Sequence, residues 1–245
     1  VDYTRHLDAR GLSGKRLGVV RSQFGGDNDL VSAVVEAELD VLRAAGATLI
    51  DLPEMPGAGR YDAAEYEVLL HEFKAGIADY LAQYAPGSPH RSLADLIAFN
   101  EANRGREMRY FGQEHFLLAQ AKGGLDSPAY RDAVATCRRF TRAEGIDQAL
   151  AAHRLDALVA PTGAPAWLTD FIRGDHSGGG FSSPAAVAGY PHITVPAGAV
   201  HGLPCGISFV GTAWSEPVLF AIAYAYEQAT QRRRAPTVAG TVKLA

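Results

Sequence analysis

Apolar residues run in short blocks near the front of the chain, at helical spacing through its middle, and in blocks again over the last third. The first block, Arg16 to Val20 (RLGVV), follows the turn-like Leu12-Ser13-Gly14 and reads as a buried strand. Gly25, Gly26 and Asp27 punctuate the chain, and Val31, Val35, Leu39 and Leu42 then fall on one face of a helix reaching Ala45. Asp27 or Asn28 is placed to cap its start, and Gly46 to end it. Ala47 to Leu52 (ATLIDL) is a second strand, closed by Pro53. A strand, a helix and a strand in this order predict a parallel pair with a right-handed crossover.

The middle is helical. Tyr66, Leu69, Leu70, Phe73, Ile77 and Leu81 form a 3.6-residue stripe, and Ala85 to His90 (APGSPH) breaks it. Ser92 opens a helix toward Asn100, and REMRYFGQEHFLLAQ predicts helix on both sides of Gly112. Ser127-Pro128 starts a further helix running to about His153, with Tyr130, Val134, Cys137 and Phe140 inward. Strands return at Asp156 to Pro161, His192 to Ala197 and Cys205 to Gly211. The turn-like HGLP between the last two predicts a hairpin. Ser215, Glu216 and Pro217 begin a final helix with Leu219, Ile222 and Tyr226 facing in. The pattern is that of an α/β protein, a mixed sheet covered by helices, with residues 1–245 as a single unit.

Composition changes this picture little. Apolar residues make up 47% and charged residues 20% of the 245, ordinary values for a globular protein with a substantial core. A net charge of -4 gives no electrostatic case for nucleic acid or an anionic membrane as partner. No apolar run approaches the ~20 residues of a membrane-spanning helix. The densest basic cluster, Arg232 to Arg234, follows the last helix and suits the negative end of its dipole. Cys137 and Cys205 sit in apolar contexts and read as free buried thiols. The chain opens Val1-Asp2 without Met, which points to a fragment or a processed chain. The cytoplasm is the default compartment; a signal upstream of Val1 would place the protein in the periplasm instead.

Candidate chemistry is quickly narrowed. SQFGGD after the first strand lacks GxGxxG, no GK[ST] is present, and HEFKA has Ala75 where a zinc site needs its second histidine. No cofactor and no metal site is expected. The stretch HSGGGFSSPAAVAGYPHITVPAG, His176 to Gly198, looks more promising. Ser183 there could attack a carbonyl with His176 or His192 as base, Asp175 as orienter and the glycine amides as oxyanion hole. Pro184 argues against it, because the N–H expected just after a nucleophile is missing. The plainer reading is a glycine loop entering a helix capped by Ser182 or Ser183, with Pro184 in its first turn.

Three longer stretches then change the question: LDALVAPTGAPAW, FSSPAAVAGYPHITVPAG and GLPCGISFVGTAWSEPVLFAIAYAYEQAT. They follow, in order, a PT-x-x-P strand end, a P-A-x-x-A-G-x-P segment leading to V-P-x-G, then G-L-P-x-G and E-x-x-L-x-x-A. With these residues the chain resembles the C-terminal part of the amidase signature family. DYTRHLDARGLSGKRLGVVRSQF is similar to the segment after that family's catalytic core, and YFGQEHFLLAQA is most similar to its peptide amidase-like members.

The resemblance implies a Ser–cis-Ser–Lys mechanism, with the triad in a GGSSGGS-type signature and the strand before it. This chain has no such signature, and GGGFSS lies in the downstream P-A-x-x-A-G-x-P segment. Lys15, Lys74, Lys122 and Lys243 lack the apolar surroundings a neutral base lysine needs. No catalytic residue is therefore expected here. The resemblance implies the half that completes the sheet and walls the pocket for a small-molecule or peptide amide substrate, with the N-terminal half of the same polypeptide as partner. Thr162, Gly163, Trp167, Phe171 and Asp175, on the loop leaving the Pro161 strand end, are the candidate substrate contacts, with Tyr110 and Gln113 from the helical layer. The plainer reading of Trp167 and Phe171 is as core or interface aromatics, and of Asp175 and Gln113 as solvated polar residues. A chain without its other half should expose apolar surface and self-associate. The alternative function is a non-catalytic small-molecule-binding α/β module.

Overall fold

The computed structural model describes residues 2–24, 29–176 and 178–236. In chain order the elements are β1 (Arg16–Val20), α1 (Asp29–Ala44), β2 (Thr48–Leu52), α2 (Asp62–Tyr84), α3 (Leu93–Ala102), α4 (Arg104–Glu107), α5 (Glu114–Gln120), α6 (Pro128–Arg138), α7 (Asp147–His153), β3 (Ala157–Pro161), α8 (Ser183–Ala188), β4 (His192–Val200), β5 (Leu203–Val210) and α9 (Glu216–Thr230). The strands form one mixed sheet in the order β2-β1-β3-β5-β4. β1 runs parallel to both β2 and β3, with Leu17 opposite Leu49 and Ala157. β5 runs antiparallel to β3 and to β4.

Side-chain alternation along the strands sorts the core onto two faces. Leu17, Val19, Val159, Ile207 and Phe209 point to one, where α1 and α9 bring Val35, Leu39, Ile222 and Tyr226. Val20, Leu52, Leu158, Ala160 and Val210 point to the other, under Ile146, Leu150, Phe181 and Ala185. All five residues of β3 are buried, which explains why ALVAP is a continuous apolar run rather than an alternating one. A separate helical layer forms where Leu70, Leu93 and Ala119 of α2, α3 and α5 meet. No described helix is long and apolar enough to cross a membrane.

Local signals explain several helix starts and stops. Ser92 accepts the Asp95 amide to cap α3, and Ser127 accepts the Tyr130 amide to cap α6, with Pro128 in its first turn. Gly46, at φ +96°, turns the chain from α1 toward β2. The proposed Asp27 or Asn28 cap lies outside the described residues.

Several expectations need correcting. The helix from Ser127 does not run unbroken to His153. It passes into a π-helical stretch, Arg139–Ile146, that kinks at Glu144 and Gly145, and α7 resumes beyond. A Cβ on Gly145 would run into the Phe140 carbonyl, so the kink rests on close backbone approach. Within that helix Cys137 is buried, while Tyr130, Val134 and Phe140 are half-buried. The α2 stripe is only partly covered: Leu70 and Leu81 are buried, but Leu69 is 55% exposed. The hairpin strands extend further than their apolar cores, leaving only His201 and Gly202 as the turn. Ser182 stands at the N-cap of α8 without a capping side-chain bond. Arg232 does more than balance the dipole of α9. Its guanidinium meets the buried Glu38 of α1 at 2.8 Å, while Tyr226 Oη donates to the other carboxylate oxygen at 2.9 Å.

Candidate functional site

β1 and β3 are neighbouring parallel strands, so their carboxyl ends open on the same edge, where α/β sheets place ligands. The chain leaves β3 at Thr162, whose amide donates to Gly206 O (2.9 Å) and whose carbonyl accepts from Phe181 N (3.1 Å). Gly163 bridges Gly180 next to this pair, closing residues 163–180 into a loop with a narrow stem. Two concavities flank the stem, and Ala164 and Gly178 line both. The smaller, about 230 Å³, is walled by Ser22, Gln23 and Pro161 at the ends of β1 and β3. The larger, about 600 Å³, lies between Trp167 and Asp175 of the loop and His201 and Leu203 of the hairpin.

At the foot of the loop four polar side chains converge on one face of the sheet. Thr162 Oγ1 lies 2.6 Å from Thr194 Oγ1 and 2.8 Å from Ser208 Oγ, and Ser208 Oγ lies 2.6 Å from His192 Nε2. The hairpin register sets Thr194 opposite Ser208, and His192, two residues earlier, falls on the same face. Ser208 is fully buried, and burial lowers the pKa of His192. The ring of Phe181 meets His192 edge-on at 6.5 Å.

Five of the seven candidate contacts lie on this loop. Thr162 belongs to the hydroxyl cluster and Gly163 to the stem bridge. Trp167 Nε1 donates to Asp175 Oδ1 at 3.2 Å, so the loop ties these two residues to each other across the mouth of the larger cavity. Phe171 stacks on Tyr110 with centroids 4.4 Å apart and planes 21° from parallel, which joins the loop to the helical layer. Both rings remain more than half exposed. Gln113 stands apart. It is buried, accepts from Asn100 Nδ2 (3.1 Å) and donates to Glu101 Oε1 (2.8 Å), which ties α3 to the start of α5.

The glycine-serine stretch does not assemble the hydrolase considered for it. Ser183 Oγ donates to Glu65 Oε2 (3.1 Å) and lies 3.5 Å from Tyr61 Oη, while His192 belongs to Ser208 and Asp175 to Trp167. The described lysines are committed elsewhere. Lys15 pairs with Asp156 (2.9 Å), Lys122 with Glu67 (2.6 Å), and Lys74 donates to the carbonyls of Gln120 and Lys122. Lys243 lies outside the described residues. Among the described residues no three His, Cys, Asp or Glu side chains gather as a metal site. Both cysteines are free and buried.

Sequence reasoning missed Thr194 and Ser208, and it weighed His192 only as a base for Ser183. The available signal was their period-2 placement in HITVP and CGISF, which becomes a cluster only once the hairpin register is known.

Comparison with known proteins adds a lineage. The amidase family model matches residues 2–220. A probable amidase of Arabidopsis thaliana is 36% identical over 240 residues, covering 96% of this chain and 42% of the plant protein. A peptide amidase crystallised with the competitive inhibitor chymostatin is 48% identical and superposes with a TM-score of 0.91, covering 97% of this chain and 48% of that one. Native peptide amidase from Stenotrophomonas maltophilia, also 48% identical, gives 0.86 over 97% and 47%. The chain spans less than half the length of the curated relatives it matches.

Proposed function

Because the chain belongs to the amidase family, we propose that it is the C-terminal portion of an enzyme hydrolysing carboxamide C–N bonds, and supplies scaffold and pocket wall rather than the attacking groups. The observation that carries this reading is a family match over nearly the whole chain beside relatives about twice its length. The triad that the family resemblance implies would then lie in the N-terminal half of the same polypeptide. The dispersal of Ser183, His192, Asp175 and the described lysines into separate contacts supports that division.

On this reading Thr162, Gly163, Trp167, Phe171 and Asp175 form one wall of the pocket, and Tyr110 meets it from the helical layer through Phe171. Gln113 contributes from beneath, by holding the α3–α5 corner that presents Tyr110. The 48% identity to peptide amidase in two solved structures makes peptide C-terminal amides the first substrates to try. Ammonia release from a C-terminally amidated dipeptide, measured for the complete gene product and for residues 1–245 alone, tests the proposal. Activity only in the complete product, with a GGSSGGS-type signature upstream of Val1, is the expected result. Hydrolysis by residues 1–245 that Ser183→Ala abolishes would overturn it. A complete gene product without that signature and without activity would leave the non-catalytic binding module.

A further inference from the structure

The larger cavity beside the pocket loop carries a charge that its wall does not balance. Most of that wall is apolar: Leu30 of α1, Val200 and Leu203 of the hairpin, and Trp167 of the loop line it. Among the described residues Asp175 is the one carboxylate in the wall, and no lysine or arginine lines it. His176 and His201 line it too. Protonation of both would favour an anion instead, an alternative that a peptide with an acidic blocking group distinguishes.

The loop holds two carboxylates and uses them differently. Asp170 is turned to the loop's own backbone, where Oδ1 accepts the amides of Ile172 (2.8 Å) and Arg173 (3.0 Å). It serves the turn that follows it. Asp175 accepts from Trp167 Nε1 through Oδ1 at 3.2 Å. That donor is neutral, so it positions the carboxylate without discharging it. Oδ2 is left to take a further donor.

An indole held beside a carboxylate suits an alkylammonium ion. The carboxylate supplies charge and a charge-assisted hydrogen bond, and the face of the indole attracts a cation. Apolar walls focus such a field more than an open surface does. At about 600 Å³ the cavity falls within the range of small-ligand sites.

We propose that this cavity seats a substrate ammonium group, and that the Asp175 carboxylate, held by Trp167, selects amide substrates with a free amine. The unblocked N-terminus of a short peptide amide is the simplest such group. An acetylated N-terminus gains neither the charge contact nor the contact with the indole, and an acidic one is repelled.

The proposal rests on the amidase reading, and the two can fail separately. Dipeptide amides differing only in a free, N-acetylated or N-succinylated N-terminus are compared on the complete gene product at pH 7 and low salt. Asp175→Asn should raise KM for the free amine about five-fold, the upper end for an exposed ion pair, with kcat unmoved. High salt should shrink that difference. The acetylated substrate should be unaffected, which also shows that the variant is folded. Equal changes for both substrates, or none for either, would overturn the ammonium site. So would a lower KM for the succinylated peptide than for the free amine, which would give the cavity to its histidines. A wild type that hydrolyses none of the three would overturn the amidase reading, and calorimetric binding of the same peptides then decides the site. A preference for the free amine that Asp175→Asn removes would uphold it; no preference would overturn it.

Discussion

Replacing Arg232 by methionine tests whether a residue beyond the last helix holds two layers together. Glu38 of α1 is 2% exposed, and its carboxylate accepts from Tyr226 Oη at 2.9 Å, Arg232 Nε at 2.9 Å and a second guanidinium nitrogen at 2.8 Å. Methionine keeps the aliphatic stem and removes the fork. Breaking a fully buried ion pair from one side costs about 3–5 kcal/mol. The Arg232 side chain, however, is 47% exposed, so water can reach the vacated position and take up part of the loss. About 2 kcal/mol is the resulting figure, toward the lower end of the range for hydrogen bonds to a charged group. For a chain of this size that corresponds to a fall in Tm of roughly 4–8 °C by scanning calorimetry. The same substitution in a Glu38→Gln background should cost less than about 0.5 kcal/mol, because the charge it serves is gone. A Tm change under about 1 °C, or an equal loss in both backgrounds, would refute the clamp and return Arg232 to a solvated role.

Other expectations can be checked alongside. Gly57 has φ +79°, and a Cβ there would enter the space of the Phe140 carbonyl; Gly57→Ala should cost roughly 2–4 kcal/mol in urea unfolding, from the left-handed backbone and overpacking together. Gly59 has a similar φ of +71° but open space around it, so Gly59→Ala should lose only the backbone part, about 1–2 kcal/mol. The hydrogen bond from Lys122 holds the Glu67 carboxyl below its usual pKa of 4.5. A depressed carboxyl stabilises the fold above its unfolded pKa and loses that contribution as pH falls through the folded one. The Tm gap between wild type and Lys122→Met should therefore be present at pH 7 and narrow below pH 4.5. Leu168 and Ile172 are 91% and 95% exposed, and residues 1–245 alone should form a dimer or larger species in light scattering at tens of micromolar, weakened by Leu168→Ser with Ile172→Ser. A clean monomer would count against this.

Where the fold was legible, local pattern and tertiary outcome asked for the same thing. RLGVV is an apolar block because β1 lies inside the sheet with apolar side chains packed on both faces, ATLIDL forms the edge strand β2, of which only Leu52 is buried, and HITVP and CGISF pair around a two-residue turn. The misses share a cause, which is that the deciding partner is distant in sequence. RAEGID gives no sign of the kink at Gly145, since that kink depends on the approach of the Phe140 and Pro56 carbonyls. Arg232 reads as a dipole cation until Glu38, in the first helix, is seen beside it. Thr162 was singled out because it ends a strand, but what it touches depends on which residues of β4 and β5 come opposite each other. Gln113 looks like a surface amide in YFGQEH, and only the packing of α3 shows both ends of it engaged.

The half-covered stripe on α2 bears on the functional reading as well as on the fold. α9 leaves no large apolar side chain exposed and α1 leaves only Leu30, so the face of the sheet that these helices cover is finished. α2 leaves Tyr66, Leu69, Phe73, Tyr80 and Tyr84 exposed, and α5 leaves Leu117 and Leu118. Helical spacing places such residues where a helix meets another surface. The same layer carries Tyr110, and through the Tyr110–Phe171 stack it reaches the loop with Trp167, Leu168 and Ile172, which are also exposed. Unfinished packing is therefore found on the helical layer and on the loop that stacks against it. On the proposed reading this is an economical arrangement: the surface that would receive the other half of the polypeptide adjoins the wall that would face substrate. A change on the α2 stripe should then weaken the complete enzyme by loosening that junction, even though no residue of the stripe lies in the 162–180 loop.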